Sequence, residues 1–179
     1  RWGTFEVLKQ RIADGMPVWG TCAGAILLAK EVRGKNPPRT FGLMNIVADR
    51  NAYGTHRDSF TAEVELHLPA TSSTHAQSAS PTGHVPFTPT DATHISINAI
   101  FIRAPKLTPM QKKNVDSTAD RFSHSHAPTT HDNTVHVLAT HNGDPVLLQQ
   151  ANLLASAFHP ELTNSTVIHQ YFLDRCRKA

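Results

Sequence analysis

The sequence predicts an α/β fold, and three observations carry the prediction. The apolar Val18-Trp19 runs through Gly20-Thr21-Cys22-Ala23-Gly24 into Ala25-Ile26-Leu27-Leu28-Ala29, so a strand, a tight corner and a helix follow in immediate succession. Phe60, Ala62, Val64 and Leu66 alternate with Thr61, Glu63, Glu65 and His67, the period of two expected of a half-buried strand. Ala99-Ile100-Phe101-Ile102 and Leu153-Leu154-Ala155-Ser156-Ala157-Phe158 are short, nearly continuous apolar runs, the pattern of strands buried on both faces.

The remaining elements follow in chain order. Phe5, Leu8 and Ile12 recur at helical spacing and Gly15 closes the segment, which predicts an amphipathic helix over 4–13. The helix after Cys22 is expected to run through Val32 and stop at Gly34, with 35–38 as a breaker. Gly42 to Ala48 reads as a strand leading into the polar turn Asp49-Arg50-Asn51-Ala52-Tyr53-Gly54. From 69 to 93 the composition shifts to Ser, Thr, Pro, Ala and His, which predicts an exposed, flexible insertion, and 108–133 reads as a second one with room for a short helix. Ile95 to Arg103 is a strand between them. Val135 to Thr140 is another, and His141-Asn142-Gly143-Asp144 is a hairpin turn into Val146 to Gln150. A last helix from Ser165 carries Ile168, Tyr171 and Phe172 on its apolar side, and Arg175, Arg177 and Lys178 suit the negative end of its dipole. The whole chain, 1–179, reads as one domain.

Composition narrows the function classes. Two cysteines in 179 residues do not make a disulfide framework, which favours a reducing compartment, and no apolar run has the length of a membrane span or the layout of a secretory signal. The expectation is a soluble, cytoplasmic protein. A net charge of +3 and a pI near 9.1 are mildly basic, but the Lys and Arg residues are scattered without an aromatic-basic stripe, so nucleic acid is not an expected partner. Among the twelve histidines, His124, His126 and His131 cluster in a polar segment that lacks cysteines and a fixed scaffold. Solvated loop histidines are the default reading there, and no metal site is expected.

The chemistry-bearing residues lie at opposite ends of the chain. Cys22 sits on the strand-to-helix corner, where Gly20 and Gly24 permit close backbone approach and the helix start favours a thiolate. A lone cysteine in such a turn is more often a buried structural residue of a helix-packing corner. His159-Pro160-Glu161, directly after the last apolar strand, supplies the partner. If the tripeptide stays extended, His159 and Glu161 project together, a base and the group that orients it. Without the cysteine motif, the same tripeptide reads as a surface turn.

Taken together, Gly20-Thr21-Cys22-Ala23-Gly24, Asp49-Arg50-Asn51, Asp58-Ser59-Phe60, Phe101-Ile102-Arg103-Ala104-Pro105 and Phe158-His159-Pro160-Glu161-Leu162-Thr163 resemble, in order, the glutaminase subunit of pyridoxal 5′-phosphate synthase, a class I glutamine amidotransferase. The first and last motifs alone indicate the wider amidotransferase class. Asp49-Arg50-Asn51 and the segment 101–105 narrow it to the vitamin B6 branch.

The resemblance implies a three-layer sandwich around a central, mostly parallel sheet, and glutamine hydrolysis to glutamate and ammonia without a cofactor. It implies a glutamyl thioester on Cys22, His159 and Glu161 completing the triad, and an oxyanion amide at Ala23. Arg50, Ile102 and Arg103 fall at glutamine-binding positions, where an arginine can hold an α-carboxylate by paired hydrogen bonds. Ammonia would pass to a separate synthase subunit in a hetero-oligomer. Two departures stand out. Gly54 is followed by Thr55, His56 and Arg57 where the family usually has arginine and glutamine. The family's opening strand-helix-strand portion, ending in Gly-Gly-Glu-Ser and giving a second oxyanion amide, has no counterpart, so the domain is expected to be N-terminally truncated with its first strands missing. A non-catalytic partner of the synthase subunit, and a cysteine hydrolase of related architecture acting on another substrate, are the competing readings.

Overall fold

The computed structural model describes residues 3–50, 59–69, 94–110 and 133–178. Helix α1 (Gly3–Ala13) leads into strand β1 (Val18–Thr21), followed by α2 (Ala23–Leu28), β2 (Ala29–Arg33) and β3 (Met44–Asp49). Then come β4 (Phe60–His67), β5 (His94–Phe101), β6 (Lys106–Pro109), β7 (His136–His141), β8 (Asp144–Gln150), β9 (Leu153–Ser156), a single 3₁₀ turn (Pro160–Leu162) and α3 (Val167–Cys176). The α/β class is as expected. Six strands form one sheet in the order β1-β9-β8-β7-β4-β5, and β2-β3-β6 form a second. Parallel pairing falls at β1–β9 and β2–β3, the strands on either side of the Cys22 corner, and the other described pairs are antiparallel.

Two of the boundaries that differ from the sequence reading are set from outside their own segments. The helix after Cys22 ends at Leu28, not Val32, and Ala29 turns to extended backbone with φ −61° and ψ 142°. The reason is non-local: the Leu27 and Leu28 carbonyls accept hydrogen bonds from the Phe41 and Leu43 amides, and β2 then pairs with β3. The second polar stretch likewise does not begin at Thr108, because 106–109 form β6 and pair antiparallel with Asp49 to Ile46. Residues 70–93 and 111–132, the histidines at 124, 126 and 131, and the turn and departures at 51–58 lie outside the described residues.

The core is built on β8 and β9. Val146, Leu147, Leu148, Leu154, Ala155 and Phe158 are fully or almost fully buried, as apolar runs with no polar alternation demand. Phe101 stacks on Phe60 with ring centroids 4.6 Å apart and tilts against Phe158 at 5.6 Å, fastening the end of β5 to the segment after β9. Asn152 donates from its side-chain amide to the Ile12 and Met16 carbonyls at 2.9 and 2.7 Å. This ties the end of α1 to the start of β9 and delivers the chain into β1 beside it.

The β1–β9 register pairs Val18 with Leu153 and Thr21 with Ser156, so both strands end at the same level. Functional groups in α/β sheets collect beyond such carboxyl ends.

The hairpin between β7 and β8 turns on Asn142 and Gly143, both at positive φ, 51° and 81°. Two left-handed residues in a two-residue loop match the twist of the flanking strands. Replacing Gly143 by Val forces a β-branched residue into that region and is expected to cost about 1–3 kcal/mol in urea unfolding, with the denaturant slope unchanged.

Candidate active site

Cys22 occupies the corner in a strained conformation, φ 46° and ψ −103°, a cost of order 1–3 kcal/mol for a residue with a Cβ. Two constraints over-determine it. Its amide donates to the Ser156 carbonyl at 2.8 Å, continuing the β1–β9 ladder one residue past the strand, and its carbonyl accepts the first helical bond of α2 from Ile26. The glycines on either side are not equivalent. A Cβ on Gly20 would lie 2.5 Å from the carbonyl carbon and oxygen of Gly24 and 2.8 Å from the Ala25 amide nitrogen, whereas one on Gly24 would meet nothing within 4 Å. The close approach expected of both glycines is therefore a requirement on Gly20 alone.

The thiol donates to the Ile102 main-chain carbonyl at 3.7 Å. That carbonyl lies just beyond β5, next to Arg103, which takes a left-handed φ of 48° as the chain leaves the sheet. Burial is the largest influence on the Cys22 thiol and pushes it above its ordinary value of 9.0. The amide of Ala23 pulls it down, the negative charge of Glu161 adds to the rise, and the positive charge of Arg103 opposes it. The sequence expectation of a thiolate favoured by the helix start is corrected here: α2 has only six residues, and desolvation outweighs its first amide.

The partner motif does not stay extended. Pro160–Leu162 curl into the 3₁₀ turn, with the Leu162 amide bonded to the His159 carbonyl, and the turn rather than strand alternation brings the two side chains together. His159 Nδ1 lies 2.8 Å from Glu161 Oε1. The His159 amide donates to Ile100 at 2.8 Å, which anchors the motif to β5. With Nδ1 engaged by the carboxylate, Nε2 is the nitrogen left to accept a proton.

The structure thus gathers Cys22, Ala23, Ile102, Arg103, His159 and Glu161 around the ends of β1, β5 and β9. Arg50 is placed differently. Its guanidinium donates to the Asn36 carbonyl at 3.2 Å and its amide to Arg33, and among the described residues neither group contacts Cys22, His159 or Glu161. No group of three or more histidine, cysteine or acidic side chains suited to a metal ion occurs among the described residues. Two residues of the corner escaped the sequence reading. Trp19 Nε1 donates to Ser156 Oγ at 3.2 Å, and that hydroxyl lies 3.3 Å from the Phe158 carbonyl. The one available signal was Ser156 itself, a hydroxyl inside the apolar run 153–158.

Comparisons with known proteins point to one family. The model of the SNO glutamine amidotransferase family matches residues 1–74 and 72–178. The pyridoxal 5′-phosphate synthase subunit PdxT of Thermosipho africanus (strain TCF52B) is 40% identical over 174 residues, 97% of this chain and 68% of that protein. PdxT of Haemophilus influenzae (strain PittEE) is 36% identical over 175 residues, 98% of this chain and 67% of that protein. A crystal structure of a glutamine amidotransferase superposes with a TM-score of 0.63 at 30% identity, covering 95% of this chain and 66% of that one. The chain therefore spans about two thirds of the length of these relatives.

Two outcomes are expected at the corner. Gly20→Ala lowers the thermal unfolding midpoint by several degrees because backbone must move, while Gly24→Ala folds as well as the parent. In a Cys176→Ala background, the rate of Cys22 alkylation by iodoacetamide rises with pH through an inflection above 9, since a raised thiol pKa leaves the neutral form dominant below it. An inflection near neutrality would contradict the dominance of burial.

Proposed function

Because this chain belongs to the SNO glutamine amidotransferase family, its reaction is the release of ammonia from glutamine, and we propose that Cys22, His159 and Glu161 carry it out as a catalytic triad. The observation that carries the assignment is the 2.8 Å contact of His159 with Glu161 on the turn after β9, the strand whose Ser156 carbonyl holds the Cys22 amide.

The chemistry follows from the electrostatics. A thiol whose pKa is raised by burial needs a base at the moment of attack, and an imidazole oriented through Nδ1 presents Nε2 for that proton. Sulfur then bonds to the carboxamide carbon of glutamine. The negative oxygen is met by the Ala23 amide. The imidazolium, stabilised by Glu161, returns the proton to the nitrogen as the carbon–nitrogen bond breaks, so ammonia leaves and a glutamyl thioester remains. Water, deprotonated by the same imidazole, releases glutamate and restores the thiol.

Arg103 and the Ile102 backbone border the thiol and form the glutamine-binding edge in this reading. Arg50 would have to leave its contact with Asn36 to join them. The relatives' name as synthase subunits supports a hetero-oligomer in which ammonia passes to a synthase subunit making pyridoxal 5′-phosphate. A cytoplasmic location suits a nucleophilic thiol that must stay reduced.

The test is glutamate and ammonia release from glutamine in the presence of the synthase subunit. Cys22→Ala abolishes it, His159→Ala does nearly so, and Glu161→Gln lowers kcat by about 10² or more while altering KM little. Equal rates for the parent and Cys22→Ala would refute the assignment.

A further inference from the structure

We propose that Ser156 is a positioning residue that holds the nucleophile and the histidine of this site in one hydrogen-bonded bracket; the inference rests on the triad assignment above. Three of its bonds reach three different parts of the site. Its carbonyl accepts from the Cys22 amide at 2.8 Å. Its hydroxyl accepts from Trp19 Nε1 at 3.2 Å, on the strand that leads to Cys22. The same hydroxyl donates to the Phe158 carbonyl at 3.3 Å, the peptide immediately before His159. A hydroxyl has one proton to give and can accept as it gives, so the direction of the chain is fixed: indole to serine to carbonyl.

The placement explains why a polar residue is kept in an apolar strand. Ser156 is fully buried, and its neighbours Ala155, Ala157 and Phe158 are equally inaccessible. A buried hydroxyl without partners costs stability, whereas here both of its bonds point to main chain or side chain flanking the reacting groups. Trp19 is itself located from the other side, with its ring against His169 at 5.0 Å and Phe172 at 5.8 Å on α3. The donor that reaches Ser156 is therefore held in place before substrate arrives. The peptide plane between Phe158 and His159 has two fixed points, the hydroxyl on the Phe158 oxygen and Ile100 on the His159 amide. Loss of the first frees that plane to rotate, which moves the imidazole that must meet both Glu161 and the thiol.

The experiment combines two readouts on the full chain with its synthase subunit. Ser156→Ala is expected to lower kcat for glutamine by about tenfold with KM within about twofold, a loss of alignment and not of substrate binding. The ¹⁵N imidazole signals of His159, assigned by their absence in His159→Ala, are expected to change from a tautomer protonated mainly at Nδ1 to a mixture. Ser156→Thr, which keeps the hydroxyl, restores the tautomer. Since Ser156→Ala also strands the Trp19 N–H, the double variant Ser156→Ala, Trp19→Phe removes that unpaired donor. It should regain thermal stability without regaining kcat. If the double variant recovers both, or if Ser156→Ala keeps the parent tautomer and kcat, the bracket is structural only and the inference falls. A parent chain that releases no ammonia while its His159 tautomer still responds to Ser156→Ala would instead defeat the glutaminase assignment and leave the bracket standing.

Discussion

The parallel pairing of β1 with β9 is the constraint on which the rest depends. Its register brings Thr21 opposite Ser156, and the ladder runs one step further to the Cys22 amide. The proposed nucleophile from the first fifth of the chain and the proposed base from the last fifth thereby leave the sheet at the same level. Neither could be positioned by local structure: α2 is short and the His159 turn is a single 3₁₀ turn. Their precision is inherited from neighbours such as Leu147, Leu148 and Leu154, which fill the core beneath and leave the strands no room to slip.

A strained residue persists only where its surroundings hold it. At Cys22 the restraints are the Ser156 carbonyl on its amide, the Ile26 amide of α2 on its carbonyl, and the absence of a Cβ at Gly20. That absence lets β1 lie against the Gly24 peptide, so the first turn of α2 presses directly on the end of the strand. Gly24 contributes a backbone to be approached and not a conformation only glycine can adopt. The Gly-x-Cys-x-Gly pattern thus has one sterically obligatory glycine on the evidence of packing.

Much of this was legible in the sequence, and the exceptions share a cause. The strands at 60–67 and 153–156, the Asn142-Gly143 hairpin and the strand-corner-helix at Cys22 were readable because each is marked locally, by alternation, by an apolar run or by turn residues. The early end of α2 and the strand at 106–109 were not, because both are decided by β3, a partner that periodicity in a short window does not see. The meeting of His159 with Glu161 was anticipated for the wrong reason: a two-residue spacing joins side chains in a strand, but here a 3₁₀ turn folds them together. Ile102 was assigned through the resemblance as a substrate contact, and its resting role as acceptor of the thiol proton had no mark in the sequence, since any residue carries a carbonyl.

That last contact bears on how the site changes between rest and reaction. The thiol of Cys22 is half-buried, its proton directed at the Ile102 carbonyl, and burial keeps it protonated against the pull of Ala23 and Arg103. Glu161 has two opposed effects. Its charge disfavours a thiolate nearby, yet through His159 Nδ1 it orients the imidazole that takes the thiol proton in the proposed reaction. A standing thiolate is therefore discouraged, and in the proposed reaction charge separation would wait until the sulfur turns from Ile102 to the imidazole. In the proposed reaction, glutamine held against the Ile102-Arg103 edge would compete for that same carbonyl, which would couple occupancy of the site to release of the thiol.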